Sequence, residues 1–220
     1  MKTIKKTESL HTQAYHIVKG MIMEGKFSPG ERAVESKIAE QLGVSRGTVR
    51  EAVRMLTKDD LLVQKDGVLL VYNPDSKDIE DLYECRKSLE SLSVKLAAEH
   101  ISEAQLAKLE KTILGSREAM TSKNTKEYTS LNQQFHDIIA ESSNNKQLLA
   151  LYNVINTKLL FIRNCILSEY SSSFADLVYD HEQIFLALKE RDSQKAEAEM
   201  LKHIDRSRNI AKSANIEKEN

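Results

Sequence analysis

Four polar residues in the C-terminal part of the chain have types and spacings that suit a metal ion. Asn132 and His136 are four residues apart, so on a helix their side chains share one face. His181 and His203 are each 11 residues from Asp192, and two antiparallel helices joined near this residue would bring both to one level. Three imidazoles and a carbonyl oxygen at one depth predict a site for zinc, nickel or a similar divalent metal. Its open coordination positions would suit a carboxylate effector.

Two arginines are candidate partners for such an effector. Arg86 and Arg163 each lie within an apolar helical stretch, where a guanidinium without a partner is costly. A bound carboxylate could pair with either one. The alternative is an ion pair with an internal carboxylate, and Glu90, on the same helix as Arg86, is one such partner.

A second kind of chemistry is indicated near residue 50. On a helical wheel, one face away from the valine and leucine stripe carries three basic residues and a glycine within about 100°, namely Arg46, Gly47, Arg50 and Arg54. Arginine can pair bidentately with guanine, and a glycine leaves room for a close phosphate. Ser45 and Thr48 can donate to phosphates, as can the N-terminus of the helix itself. The alternative is an ordinary solvated face.

The elements around this face form a recognisable order. Apolar spacing predicts helices over 10–24, 35–42 and 46–58, with Gly43 ending the second and Ser45 capping the third. Apolar runs at 61–64 and 68–72 flank Asp66 and Gly67, a strong hairpin signal. Three helices followed by a hairpin predict a winged helix-turn-helix over residues 1–73.

The remainder of the chain is predicted to be an antiparallel bundle of six helices. The segments are 78–100, 103–122, 124–142, 145–168, 173–190 and 193–213, with serine-rich breaks that include residues 171–173. The first segment is predicted to have one apolar face, which carries Leu82, Cys85, Leu89, Leu92, Leu96 and Ala97. Glycine and proline are concentrated before residue 75, which places a linker at 74–77, the helical domain at 78–215 and a tail at 216–220. The fold class is therefore mainly α.

Composition argues against a disordered chain and against a membrane-spanning one. With 40% hydrophobic residues in a chain of 220 and a net charge of −1, the chain is long and apolar enough to bury a core. No apolar run approaches the roughly 20 residues needed to span a membrane. Cys85 and Cys165 are isolated, which indicates a reduced, cytoplasmic protein with two core thiols.

The helix-turn-helix segment resembles a known family. It is similar to the signature of the GntR family of bacterial transcription factors. The matching residues are Pro29-Gly30-Glu31-Arg32, then Ile38-Ala39-Glu40-Gln41-Leu42-Gly43-Val44-Ser45-Arg46 and Thr48-Val49-Arg50-Glu51-Ala52. The resemblance implies DNA contacts from Ser45, Arg46, Thr48 and Arg50 in the recognition helix. It also implies a wing tip at Lys65 and Gly67 that enters the minor groove. Ser36 takes a second-helix position that is basic in some members.

The helical part resembles the FCD effector-binding domain of the FadR subfamily. The matching residues are Asn132 with Phe135-His136, His181 with Ile184 and Ala187-Leu188, and His203-Ile204. Six helices make the VanR-like branch the closer resemblance. Many relatives carry aspartate where this chain has Asn132, so a neutral carbonyl oxygen predicts weaker metal binding here.

These resemblances imply a homodimeric repressor that binds palindromic operator DNA and is controlled by a small organic acid. Two alternatives remain. The bundle could be purely a dimerisation module without metal or effector, which Asn132 favours. It could instead be a metalloenzyme, although no HExxH-like hydrolase motif accompanies the histidines.

Overall fold

A computed structural model of the protein describes residues 8–167 and 175–219, with side chains described through Cys165 and from Ala175 to Ser213. The chain divides into two compact units, residues 1–73 and residues 74–220. None of the helices in the described ranges has the length and apolarity needed to cross a bilayer.

The first unit contains three helices and a two-stranded sheet. The helices are α1 (Leu10–Met23), α2 (Glu35–Leu42) and α3 (Arg46–Lys58), and the antiparallel strands are β1 (Leu62–Lys65) and β2 (Val68–Val71). The core side chains come from all five elements and include Val18, Ile22, Ile38, Val49, Leu56, Leu62 and Val71. The predicted winged helix-turn-helix is confirmed.

Local sequence signals explain where these elements begin and end. Gly43 ends α2 in the left-handed region at φ 62°, where glycine avoids the strain of a side chain. The Ser45 hydroxyl accepts the Thr48 N–H at 3.1 Å and caps α3. Asp66 and Gly67 have φ values of 51° and 76° and form the two-residue turn between paired Lys65 and Val68. The wing and the recognition helix are therefore set by short-range chemistry.

The second unit contains six helices in the described residues. They are α4 (Ser76–His100), α5 (Glu103–Thr121), α6 (Thr125–Ser142), α7 (Lys146–Leu167), α8 (Ala175–Lys189) and α9 (Ser193–Glu219). The predicted break at 171–173 lies outside the described residues. Helix α4 begins two residues earlier than predicted, because Asp75 and Asp78 form a capping box. Helix α9 runs beyond the predicted end at 213, since the sequence there contains neither glycine nor proline.

The prediction for the buried face of α4 is wrong in part. Leu82 and Ala97 are buried, but Leu92 is 44% exposed. Cys85 is also exposed and Cys165 is half-buried, so Cys85 is not a core thiol. The face that packs into the bundle instead carries Arg86 and Glu90 between its apolar residues. The prediction failed because it used hydrophobicity alone to choose the buried face. A charged residue can also be buried when its charge is paired with an opposite one.

Candidate nucleic-acid interface and metal centre

The first unit brings several of the residues predicted to contact DNA together. Four of the eight, Ser36, Arg46, Arg50 and Gly67, line a single groove of about 690 Å³. Lys65 is exposed at the end of β1, next to the hairpin turn. Ser45 and Thr48 lie at the start of α3, and their hydroxyls are 2.9 Å apart. A side chain at Gly47 would make only ordinary contact with Ser45, so the fold itself does not require glycine there.

The charge distribution on α3 favours an anionic partner. Arg46 and Arg50 are exposed in its first turns, where the helix dipole is positive and no acidic residue compensates. Among the described residues, neither forms an ion pair, whereas Arg54 binds Glu51 at 2.7 Å. Two unpaired guanidinium groups at the positive end of a helix destabilise the free protein slightly and suit phosphate or guanine.

Sequence reasoning missed Arg32 as a member of this surface. Arg32 is exposed, its backbone forms a bridge with Leu70 of the wing, and it lines the same groove as Ser36 and Arg50. The Pro29-Gly30-Glu31-Arg32 run contains this arginine, but the sequence alone does not indicate which surface its side chain joins. Arg32 therefore brings a basic side chain to the groove that Ser36 lines.

In the second unit, five helices contribute to one buried polar cluster. Helix α4 contributes Arg86 and Glu90, α6 contributes His136, and α7 contributes Arg163. Helices α8 and α9 contribute His181 and His203. Every one of these side chains is at least nine-tenths buried.

The three predicted histidines meet in this cluster. Each offers a ligand nitrogen, and the three atoms lie within 4.8 Å of one another. The His181 and His203 ring centres are 4.6 Å apart, as their equal separation from Asp192 predicts. Phe135 stacks on His181 with ring centres 4.0 Å apart, which fixes the plane of that imidazole. Among the described residues His181 Nε2 has no hydrogen-bond partner, so a buried nitrogen is left for a ligand.

Two carboxylates lie behind the imidazoles. Glu90 Oε2 is 2.6 Å from His136 Nδ1, and Asp180 Oδ2 is 3.8 Å from His203 Nδ1. In protein metal sites, a carboxylate next to one ring nitrogen orients the imidazole so that the other nitrogen faces the metal. Glu90 is close enough to His136 for this role, whereas Asp180 lies beyond hydrogen-bond distance of His203. The donor set therefore fits a divalent ion held by His136, His181 and His203.

Asn132, the fourth predicted ligand, is 6% exposed on the same helix as His136. Its side chain forms no hydrogen bond with any residue in the described part of the chain. The carbonyl oxygen is thus uncommitted, and the missing negative charge relative to aspartate leaves the site more positive.

Two guanidinium groups share the Glu90 carboxylate. Arg86 Nε donates to Glu90 Oε1 at 2.6 Å, and Arg163 Nη2 lies 3.8 Å from the same oxygen. Arg163 Nη1 donates to Gln133 Oε1 at 2.8 Å, but its Nη2 has no hydrogen-bond partner among the described residues. A buried donor without an acceptor is costly, so this nitrogen is a point where an anion would be stabilised.

Burial and the guanidinium groups set the ionisation of the cluster. Burial lowers the pKa of His136 to about 4, and Glu90 offsets only part of this effect. Burial and the neighbouring imidazoles also hold the pKa values of His181 and His203 well below their usual range. Burial alone would raise the pKa of Glu90, but Arg86 keeps it well below the usual value. At neutral pH the cluster therefore presents neutral imidazoles, which are the form that binds metal.

A polar network next to the cluster was not anticipated from the sequence. The Asp137 carboxylate accepts from Gln133 at 2.6 Å, from Tyr152 at 2.9 Å and from Asn156 at 3.3 Å. Gln133 then connects this network to Arg163. The four-residue spacing of Gln133 and Asp137 was the available signal, but their partners on α7 are brought near only by the fold.

Comparison with known proteins identifies both units. Residues 10–68 match the model described as bacterial regulatory proteins, gntR family, and residues 81–206 match the FCD domain. The chain is 32% identical to the uncharacterised HTH-type transcriptional regulator YdhC of Bacillus subtilis, over 92% of this chain and 91% of that protein. It is 26% identical to the HTH-type transcriptional repressor RspR of Escherichia coli, over 90% and 87% of the two chains.

Solved structures show a similar fold. The chain superposes on McbR/YncC of E. coli with a TM-score of 0.80 and 21% identity, covering 93% of this chain and 98% of the other. The relatives named above are transcription regulators rather than enzymes.

Proposed function

Because the chain belongs to the GntR family of bacterial transcription regulators and carries an FCD domain, we propose that it is a homodimeric repressor controlled by a small carboxylate. The FCD domain and the six bundle helices in the described residues are consistent with the FadR subfamily and its VanR-like branch. The relative RspR is named a repressor, which supports the direction of control.

In the proposed DNA complex, α3 enters the major groove and the wing contacts the minor groove. Arg46 and Arg50 read guanine edges, because they are exposed and not paired with a carboxylate of the described residues. The contacts to phosphate come from Ser45, Thr48, Ser36 and the backbone near Gly47, and the wing contacts come from Lys65 and Gly67.

The helical unit joins two copies of the chain. Helices α4 and α7 pack against each other, and each leaves large apolar side chains exposed: Leu92 on α4 is 44% exposed, and Leu151 and Val154 on α7 are 57% and 72% exposed. Apolar side chains of this size are costly in water, and a second copy would cover them. A two-fold dimer predicts an operator with inverted-repeat half-sites.

The bundle holds a divalent metal and, beside it, the effector. His136, His181 and His203 would bind the ion with Asn132 as a weak fourth ligand, and the ion would supply a Lewis-acidic attachment point for a carboxylate. The observation that carries the effector proposal is Arg163 Nη2, a buried guanidinium nitrogen without a hydrogen-bond partner among the described residues. Arg86 and Arg163 would pair with the carboxylate of a small organic acid.

Two measurements test this proposal. Duplexes enriched by the protein from a random library should contain an inverted repeat, and Arg50→Ala should lose that preference. In thermal-shift assays, at least one of acetate, lactate, malate and citrate should raise the melting temperature of the wild type. The same carboxylate should raise the melting temperature of Arg163→Met less. Enriched duplexes without an inverted repeat would contradict DNA binding by a two-fold dimer. Equal shifts of the melting temperature in both proteins would contradict the effector site.

One observation favours a second function for the bundle, as a dimerisation module only. The Arg86 guanidinium already bonds Glu90, Ser207 and the imidazole of His136, so much of the interior is satisfied without a ligand. Metal analysis of the purified protein together with the same thermal-shift panel separates the two functions. Detection of neither metal nor stabilising carboxylate would favour the module.

A further inference from the structure

One nitrogen of Arg86 faces the atoms that a metal would need. Its Nη2 lies 3.3 Å from His136 Nε2 and 3.5 Å from His203 Nε2. Because Nδ1 of His136 faces Glu90 at 2.6 Å, a proton there leaves the Nε2 lone pair directed at the guanidinium. Arg86 is therefore a hydrogen-bond donor to the same imidazole nitrogens that would coordinate an ion.

The rest of the guanidinium is anchored in this position. Its Nε donates to Glu90 at 2.6 Å, its Nη1 donates to Ser207 at 3.1 Å, and the side chain is fully buried. Glu90 is in turn the carboxylate that lies 2.6 Å from His136 Nδ1. The contacts that keep Arg86 against the imidazoles are thus part of the site itself.

A metal ion and this arginine conformer exclude each other. Zinc binds imidazole nitrogen at about 2.0–2.1 Å. An ion at that distance on the line from His136 Nε2 to Arg86 Nη2 would lie about 1.3 Å from Nη2, which is shorter than any non-bonded contact. The two cations would also repel each other strongly in a buried site.

We propose that the Arg86 guanidinium and a divalent metal are alternative occupants of the His136–His181–His203 cluster, and that Arg86 must withdraw before the metal binds. This inference rests on the proposed metal site. It makes Arg86 a built-in competitor that weakens metal affinity, in addition to the effect of asparagine at position 132. The residue that would pair with the effector is then also the residue that controls access of the metal.

The test is the affinity of the full-length protein for Zn²⁺, measured by competition with a chromophoric chelator. Arg86→Met removes the competing donor, while Arg163→Met is a matched control. It also removes a buried guanidinium, but one whose described contacts are Gln133 and Glu90 rather than the imidazoles. Because a hydrogen bond to or from a charged group corresponds to roughly ten- to a hundredfold in affinity, Arg86→Met should bind Zn²⁺ at least about tenfold more tightly than the wild type. Arg163→Met should show a clearly smaller gain.

A second variant protects the test against misfolding. Arg86→Met leaves Glu90 buried without its main counter-charge, so Arg86→Met combined with Glu90→Gln removes both charges. Glutamine keeps an oxygen that can accept from His136 Nδ1. Circular dichroism identifies which of the two variants is folded, and the folded one should show the gain in affinity.

The outcomes separate this inference from the function on which it rests. If the wild type binds Zn²⁺ and the folded Arg86 variant binds it no more tightly, competition by Arg86 is overturned while the metal site stands. If neither the wild type nor any folded variant binds Zn²⁺, the metal site itself is wrong, and the inference fails with it.

Discussion

Replacing Glu90 with glutamine is expected to destabilise the helical bundle far more than the loss of an exposed ion pair. The Glu90 carboxylate is buried, bonds Arg86 at 2.6 Å and lies 3.8 Å from Arg163. Glutamine keeps the shape and one acceptor oxygen but removes the charge that compensates two guanidinium groups. Removal of one partner from a buried ion pair costs roughly 3–5 kcal/mol. We therefore expect the free energy of unfolding to fall by about 3 kcal/mol or more.

The matched control is Glu197→Gln. Glu197 binds Lys95 at 3.0 Å, but the two side chains are 31% and 46% exposed, so this change should cost about 1 kcal/mol or less. Urea denaturation followed by circular dichroism measures both losses. Because the Glu90 variant has an excess of buried positive charge, added citrate should restore more of its stability than that of the control. Similar small losses in both variants would refute the assignment of Glu90 as the internal counter-charge.

Three further predictions concern DNA, assembly and pH. Arg50→Ala should weaken binding to the selected operator by roughly 1–3 kcal/mol and relax its base preference. Lys65→Ala should weaken binding to all DNA sequences alike and lower the slope of affinity against salt by about 1. Fluorescence anisotropy at several salt concentrations distinguishes these patterns, and unchanged operator affinity in Arg50→Ala would contradict the role of Arg50. Leu92→Glu should shift the protein towards monomer in sedimentation, because it places a charge on the exposed apolar face of α4; an unchanged dimer would exclude Leu92 from the interface. Because burial lowers the pKa of His136 to about 4, the unfolded chain binds a proton between pH 6.5 and 4 that the folded chain does not. For this residue, the stability of the metal-free protein should therefore fall by up to about 1.4 kcal/mol per pH unit as the pH decreases from 6.5 to 4. A wild type and a His136→Gln variant with the same pH dependence of unfolding would contradict this.

The sequence was sufficient where short-range chemistry decides the structure. Ser45 caps α3 because its hydroxyl lies three residues from the Thr48 N–H, and Asp66-Gly67 turns because both residues adopt positive φ. The meeting of His181 and His203 also followed from counting, since both are equally far from the turn at Asp192.

The remaining features depend on contacts between distant segments. Hydrophobicity alone could not distinguish a stripe that faces the core from one left exposed, so Leu92 and Cys85 were assigned to the interior. The approach of Arg86 to His136 and His203 joins residues at least 50 positions apart and depends on how α4 packs against α6 and α9. No local pattern contains that information.

The central claim is that the buried cluster of the bundle controls DNA binding, and the operator dissociation constant tests it most directly. Anisotropy with the selected operator should be measured for the wild type and Arg163→Met, with and without lactate, malate or citrate. Coupling between two ligand sites is typically 5- to 150-fold. We expect at least one carboxylate to raise the dissociation constant of the wild type about fivefold or more and to leave that of Arg163→Met nearly unchanged. A constant that no carboxylate alters, or that changes equally in both proteins, would contradict the account.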